Sequence, residues 1–484
     1  MPQTPQLSDY TTLLPVILLT GWACVLLIVD LLIPRERKSL TALLAALGLA
    51  VTLGFTLLQA GQQSVGFNNM VVLDGFSVFL NALLLVSGLL GIALAYAYVK
   101  RMGLERGEYY SLLLFSIVGM MLMVQAADLI VVFVALELLS IPLYVLAAFN
   151  RTQAQSEEAG LKYFLLGSFS TGFLVYGIAL VFGATGTTSL YGVVQVASAG
   201  TSTVLLSVGA GLILVGFGFK VAAVPFHMWT PDVYQGAPSA VTAFMSSGAK
   251  IAGFAALLRV FSIAFPHLAV DMTPILWGLA ALTMIAGNLI AISQTNIKRL
   301  LAYSSIAHAG YILMAFVPYG NKDVMPVSVA AGLFYLLSYA VTNFGAWGVV
   351  IALEKSEGRG LEIADYAGLG RKYPLLAAAM TVFMLSFIGL PPTLGLVGKF
   401  YLFRSVIAGG FVGLAIIGVL TSLISAYYYL RVVVTMYMQE GDPQRGSEFW
   451  LNLTWMGSAL ATVLLSLVPQ SIFALAASAV LKLF

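Results

Sequence analysis

The sequence predicts an all-α polytopic membrane protein of about fourteen transmembrane helices, and three observations carry that prediction. Hydrophobic residues make up 60% of the chain and charged residues 9%, against roughly 25% charged in a soluble domain. Mean hydropathy is +0.97, and 23 basic with 20 acidic side chains among 484 residues cannot cover a soluble body of this size. Apolar runs of about 20 residues, enough to cross the hydrocarbon core, recur along the chain.

The first run, near 11–33, has no basic residue before it and Arg35, Arg37 and Lys38 after it. That is the reverse of a cleavable signal, so it reads as an uncleaved span. Spans near 40–60 and 74–99 follow, the latter closed by Lys100 and Arg101. Only Ala126-Ala127 separates the fourth, near 109–125, from the fifth, near 128–149. The sixth (160–183) opens beside Lys162, and the seventh (203–226) runs into Pro225. The eighth (240–265) and ninth (273–294) are continuous, and the tenth (299–318) begins on Lys298-Arg299. The eleventh (326–353) leads to Lys355, and the twelfth (374–405) carries Pro391-Pro392. The thirteenth (409–438) and fourteenth (450–480) complete one membrane domain over 1–484. Within it, 1–105 holds helices 1–3, 106–268 a first repeat, 269–440 a second, and 441–484 the last helix.

Charge placement tests this order. Connections after odd-numbered spans hold Arg35, Arg37, Lys38, Lys100, Arg101, Arg106, Arg151, Lys162, Lys298, Arg299, Lys355, Arg359, Arg371, Lys372 and Arg445, fifteen of the 23 basic residues. The other side claims Arg259, Lys322, Arg404 and Lys482. Basic residues collect on the cytoplasmic side, which predicts both termini outside. Net charge of +3 is too small to imply a nucleic-acid partner. Cys24 is alone, so no disulfide is expected; His227, His267 and His308 lie too far apart for a local metal motif. Gly216-Phe217-Gly218 sits inside an apolar helix, where no phosphate is cradled. The chain is expected to carry no redox cofactor or nucleotide of its own.

Setting aside Arg431 near a cytoplasmic helix end, three lysines remain, Lys220, Lys250 and Lys399, all within predicted spans. Glu137 is the acid placed at mid-helix; Asp30, Asp74 and Asp128 lie near helix ends. A charge at the bilayer centre costs at least about 2.5–3.5 kcal/mol, so each such group is a functional candidate. The alternative reading, a structural ion pair, serves one lysine better than four ionisable groups. Lys220 precedes Val221-Ala222-Ala223-Val224-Pro225, and Lys399 follows Gly389-Leu390-Pro391-Pro392. Proline and glycine at membrane depth break a helix and free backbone groups. Interrupted helices in corresponding positions of two halves point to a transport site. Here helices 7 and 12 are each fourth in a run of five, helices 4–8 and 9–13. Five is odd, so the second unit enters from the opposite side and the repeats are inverted.

At these residues the chain resembles the antiporter-like subunits of respiratory complex I, related to the large subunits of Mrp-type cation/proton antiporters. Leu136-Glu137-Leu138-Leu139-Ser140 is similar to that family's helix 5 glutamate motif. Phe219-Lys220-Val221 with Pro225-Phe226-His227-Met228-Trp229-Thr230-Pro231-Asp232 resembles its broken helix 7 and following loop. The stretch from Asn296 through Lys298, Arg299, Tyr303, Ser304, Ser305 and His308 to Tyr311 resembles its most recognisable segment. The lysine in helix 12 and the end at Phe484 match the family branch without a long lateral helix.

The resemblance implies a proton-translocating subunit of an enzyme complex that oxidises NADH and reduces quinone. NADH, FMN, iron-sulfur clusters and quinone are then expected in partner subunits. The partners implied are neighbouring antiporter-like and small membrane subunits, peripheral redox subunits and the lipid bilayer, with no nucleic acid. A bacterial inner membrane is implied, a thylakoid membrane being the alternative. Competing readings are a ferredoxin-dependent photosynthetic complex, an Mrp antiporter, a membrane-bound hydrogenase, or an inert scaffold.

The chemistry of the residues agrees. Desolvation disfavours an ammonium, so a buried lysine is able to exchange protons near neutral pH, and a nearby carboxylate opposes that. If Glu137 pairs with Lys220, withdrawing the carboxylate pushes the proton onward. By family analogy, Glu137 and Lys220 form the coupling pair, Lys250 and His308 the central relay, and Lys399 the terminal residue. Lys162 is a weaker candidate, read mainly as snorkelling to the interface. His227 and Asp232 are read as residues in or near the cytoplasmic loop after helix 7, with capping roles and proton entry as the alternative, and Lys298-Arg299 as cytoplasmic anchoring.

Overall fold

The computed structural model describes residues 6–198, 203–355, 358–479 and 481. The chain begins with α1 (Leu7–Thr12), α2 (Leu14–Leu32), α3 (Ser39–Leu58), α4 (Gly75–Arg101), α5 (Glu108–Gln125), α6 (Leu129–Ala147) and α7 (Ala154–Thr185). Next come the short α8 (Leu190–Ser198), α9 (Thr203–Val221), the short α10 (Trp229–Gly236), α11 (Ser239–Ala264), α12 (Ala269–Ala291), α13 (Ile297–Met314) and α14 (Met325–Leu353). The rest is α15 (Leu369–Lys372), α16 (Pro374–Ile388), α17 (Leu394–Ala408), α18 (Val412–Met438), α19 (Phe449–Leu467) and α20 (Pro469–Ser478). A small antiparallel hairpin, β1 (Ser64–Gly66) with β2 (Val71–Leu73), pairs Val65 with Val72 between α3 and α4.

Among the described residues, twelve helical segments are long and apolar enough to cross a membrane: α2 to α7, α9, α11, α12, α14, α18 and α19. The two other expected spans differ for visible reasons. The tenth is α13, which carries Lys298, Arg299, Ser304, Ser305 and His308 and is less apolar. The twelfth is divided into α16 and α17 of 15 residues each. The seventh stops at Val221 rather than near residue 226, because Ala222 takes a left-handed backbone with φ of 62°. The fourteenth is divided at Val468, and Lys482 and Phe484 lie outside the described residues.

Burial sorts the helices. In α11 every residue but Ile263 is buried, and α14 is nearly as enclosed. Leu31, Phe169, Leu423 and Leu467 on outer helices are largely exposed, as lipid-facing side chains are. Small residues set the closest approaches. A Cβ at Gly177 of α7 would meet the Gly209 carbonyl of α9 at 2.7 Å. A Cβ at Gly287 of α12 would meet the Ala307 nitrogen of α13 at 2.6 Å. These contacts press α9 and α13, the carriers of Lys220 and His308, against their neighbours.

Arg259, counted above among the outer-side cations, is instead fully buried. Its guanidinium forks onto Asp74, which caps α4, at 2.9 and 3.0 Å, and its Nε donates to the Val124 carbonyl at 2.9 Å. The pair ties the N-terminal helices to α11. Losing one partner of a buried pair leaves an unpaired charge and costs about 3–5 kcal/mol. Asp74→Ala should therefore lower the thermal stability of the purified protein strongly. Arg259→Met with Asp74→Leu together should lose much less, and equal losses in the single and the double variant would show that the pair itself is immaterial.

Candidate functional site

The candidate site is built on the two helix breaks. Gly389, at φ of 89°, ends α16 in the left-handed conformation that glycine adopts without penalty. The last carbonyls of a helix have no partner within it. Lys399, one turn into α17, reaches back to two of them: Nζ donates to Phe387 and Ile388 carbonyls at 2.9 Å each and to Ser422 Oγ at 2.6 Å. All three N–H donors of the ammonium are thus placed. The same Nζ lies 4.4 Å from the Tyr311 ring centroid.

At the other break, Lys220 stands at the end of α9, 2% exposed. Its Nζ donates to Ser140 Oγ at 2.8 Å and Tyr163 OH at 3.3 Å. Trp229, opening α10, stacks on Tyr163 with ring centroids 4.5 Å apart and donates its indole N–H to the Phe219 carbonyl. The short helix after the break therefore buttresses the tyrosine that holds Lys220.

Glu137 is not in ion-pair contact with Lys220, contrary to the expected direct pairing. It is half-buried, accepts from Thr171 Oγ1 at 2.8 Å, and lines an open cleft with Phe133, Ser168, Gly172 and Tyr176. Lys220 takes Ser140, one turn further along α6. Thr171 lines both this cleft and a small cavity reaching Ser140 and Lys220. The carboxylate thus faces the lysine through a hydroxyl and a cavity.

Lys250 and His308 do come together. Lys250, 1% exposed, donates to the Ser305 carbonyl, one turn before His308 on α13. His308 Nδ1 bonds Tyr335 OH at 2.7 Å and Nε2 bonds Tyr429 OH at 3.2 Å. Tyr429 also meets Ser304 Oγ at 2.5 Å, and the His308 ring lies 5.7 Å from that of Tyr311, over which Lys399 sits. Gly253, one turn past Lys250, keeps Lys220 near: a Cβ there would lie 3.4 Å from Lys220 Cγ. The order Lys220, Lys250, Ser305, His308, tyrosines, Lys399 is one buried polar line between the breaks. Among the described residues, none of these lysines has a carboxylate within ion-pair distance.

Lys162 does not join the line. It sits in the third turn of α7, paired with Glu158 and Asp232 at 2.7 Å each. Asp232 also binds Arg299 at 2.8 Å. Partial burial pushes the Asp232 carboxyl up, but hydrogen bonds and charge from Lys162 and Arg299 outweigh it and hold the group below the usual carboxylate range. His227 is pushed below the usual histidine range by burial. Lys298 is no solvated anchor: it is buried, its Nζ on the Ala237 carbonyl at 2.7 Å. Sequence reasoning missed Ser140, Tyr163, Thr171, Tyr335, Tyr429 and Ser422. Only Ser140 carried a local signal, lying one turn from Glu137 on the same helix face.

Comparison with known proteins places this geometry. Residues 126–425 match the family model described as NADH:quinone oxidoreductase/Mrp antiporter, TM. A protein of Trichlorobacter lovleyi named NADH-quinone oxidoreductase subunit N is 46% identical, covering 98% of both chains. A protein of the same name from Chloroflexus aggregans is 44% identical over 96% of both. A chain of respiratory complex I from Thermus thermophilus superposes with a TM-score of 0.81 at 36% identity, over 96% of this chain and 99% of that one. A chain of the Mrp complex from Dietzia gives 0.83 at 21% identity, over 98% and 97%, a likeness of fold.

Proposed function

The chain belongs to the NADH:quinone oxidoreductase/Mrp antiporter family, and we propose that it is a multi-pass, proton-translocating membrane subunit of an NADH:quinone oxidoreductase. The observation that carries this reading is the buried line from Lys220 through Lys250 and His308 to Lys399. Three lysines and a histidine, bonded to hydroxyls and carbonyls, are groups that take and release protons without covalent chemistry. Glu137 biases Lys220 through its charge, Lys250 and His308 pass the proton along the midplane, and Lys399 releases it. Helices 4–8 and 9–13 act as inverted repeats that open to opposite sides. The positive charge on the odd-to-even connections supports a cytoplasmic face there, with both termini on the periplasmic side of a bacterial inner membrane.

NADH, FMN, iron-sulfur clusters and quinone are assigned to partner subunits, with neighbouring antiporter-like and small membrane subunits beside this chain. The subunit N relatives favour this complex over an Mrp antiporter, whose likeness is of fold. Purification through a tag on this chain is the test. NADH:quinone reductase activity and NADH-driven proton pumping should travel with it. Purification with other redox subunits, or with none, would overturn the assignment.

A further inference from the structure

One buried polar system is left over by the relay. Tyr98, Gln153, Gln235, Asn296, Lys298 and Glu354 line a cleft of about 1,210 Å³, its open mouth included. Its walls come from the connections that the charge asymmetry places at the cytoplasm. Glu354, at the end of α14, is 8% exposed. Its Oε1 accepts from Tyr98 OH at 3.2 Å, and its Oε2 is buried without a hydrogen-bond partner among the described residues. The Ser239 N–H, opening α11, donates to the same Tyr98 oxygen at 3.0 Å.

Below this cleft α11 and α14 pack with polar stripes facing each other. On α11, Ser239, Thr242, Ser246 and Lys250 recur at helical spacing, as do Asn343 and Trp347 on α14, with Glu354 as its C-cap. The contacts run in antiparallel register. Glu354 meets the Ser239 level through Tyr98, and Asn343 Nδ2 donates to Ser246 Oγ at 2.7 Å and Ser247 Oγ at 2.9 Å. One level further, Tyr339 donates to Ser305 Oγ at 2.8 Å while Lys250 donates to the Ser305 carbonyl. Two more buried atoms on these helices, Ser239 Oγ on α11 and Trp347 Nε1 on α14, have no hydrogen-bond partner among the described residues. Buried polar atoms are costly unless bonded, and water is their usual partner. Apolar residues at these positions would pack without that cost.

We propose that Glu354 is the proton-accepting residue of an uptake path that descends between α11 and α14 to Lys250. The proposal rests on the proton-translocating reading above. A proton from the cleft binds Glu354 Oε2 and neutralises the carboxylate. It passes along water held by Tyr98, Ser239, Trp347, Asn343, Ser246 and Ser247, each O–H bond breaking as the next forms. It ends on neutral Lys250 as the third N–H of an ammonium, and Glu354 returns to carboxylate. Eleven residues separate Ser239 from Lys250, about 16 Å at helical rise, which is about half of a hydrocarbon core.

The test uses the assembled complex in inside-out membrane vesicles, whose outer face is the cytoplasmic one. E354Q should lower NADH-driven proton uptake and coupled NADH oxidation by about tenfold or more, the scale of a lost positioned acid-base group. E354D should keep most of the rate. N343L, which interrupts the path without touching the carboxylate, should match E354Q. Formate, a small weak acid, should restore coupled turnover in E354Q but not in N343L. A purely structural role for Glu354 would not give that rescue, and its absence overturns the proposal. N343L at the wild-type rate overturns it even where E354Q fails to assemble. A K399A control separates the two readings: if K399A pumps normally, the proton-translocating reading itself fails. If K399A is inactive while E354Q and N343L pump normally, only the uptake path fails.

Discussion

Replacing Lys399 by arginine is expected to abolish proton pumping while the complex still assembles. The expectation rests on what Lys399 touches. Its three donors go to the Phe387 and Ile388 carbonyls and to Ser422, an arrangement that satisfies a positive charge at the negative end of a helix. Arginine would keep that charge but cannot release a proton. Lys399→Ala removes the charge and takes one donor from each of the two carbonyls, Ile388 keeping Ser422 Oγ, so it tests the anchoring role as well as the proton. Both variants should retain NADH oxidation with an artificial acceptor, the reaction proposed above for partner subunits. Proton pumping in vesicles, at matched amounts of complex, should fall to background in both. Full pumping in the arginine variant would show that a fixed positive charge at the break suffices, and Lys399 would then be an anchor.

Much of this architecture is legible in the sequence because its signals are local. Composition and run length expose the spans, and Pro391-Pro392 with Gly389 exposes the break in the twelfth. The end of the seventh span is less legible, since Ala222 adopts a left-handed backbone that its side chain does not announce. Partners across helices leave no local trace. Asp74 and Arg259 lie 185 residues apart, so each reads as an ordinary helix-end charge until the fold joins them. Lys298 and Arg299 look like one anchoring pair. On the folded helix their directions differ, Lys298 turning inward to Ala237 and Arg299 reaching Asp232. The tyrosines around His308 were hidden for the same reason. Tyr335 and Tyr429 come from α14 and α18, and only packing gathers them on one imidazole.

The remaining expectation concerns Glu137 and Lys220, whose losses should be coupled rather than additive. The two do not touch: Glu137 is held by Thr171, and Lys220 by Ser140 and Tyr163. Yet both hang from one turn of α6, directly or through Ser140, and Thr171 lines the cavity that reaches the lysine. A direct ion pair would fix the ammonium by contact; a carboxylate set back behind a hydroxyl acts through its field and leaves the proton able to depart. In a low-dielectric interior such a field still matters at this range. Glu137→Gln removes the field while keeping a hydrogen-bond acceptor for Thr171, and Lys220→Ala removes the group on which the field acts. Each should reduce pumping to near background, and the double variant should be little worse than either. Ser140→Ala takes away the acceptor that positions Lys220 and should fall between them and the unchanged protein. The measurement is NADH-driven pumping in vesicles for all four variants at matched assembly. Coupled neighbours depart from additivity by about 0.5–3 kcal/mol. If the losses of Glu137→Gln and Lys220→Ala add in the double variant, the two groups act at separate steps, and the carboxylate does not govern this lysine.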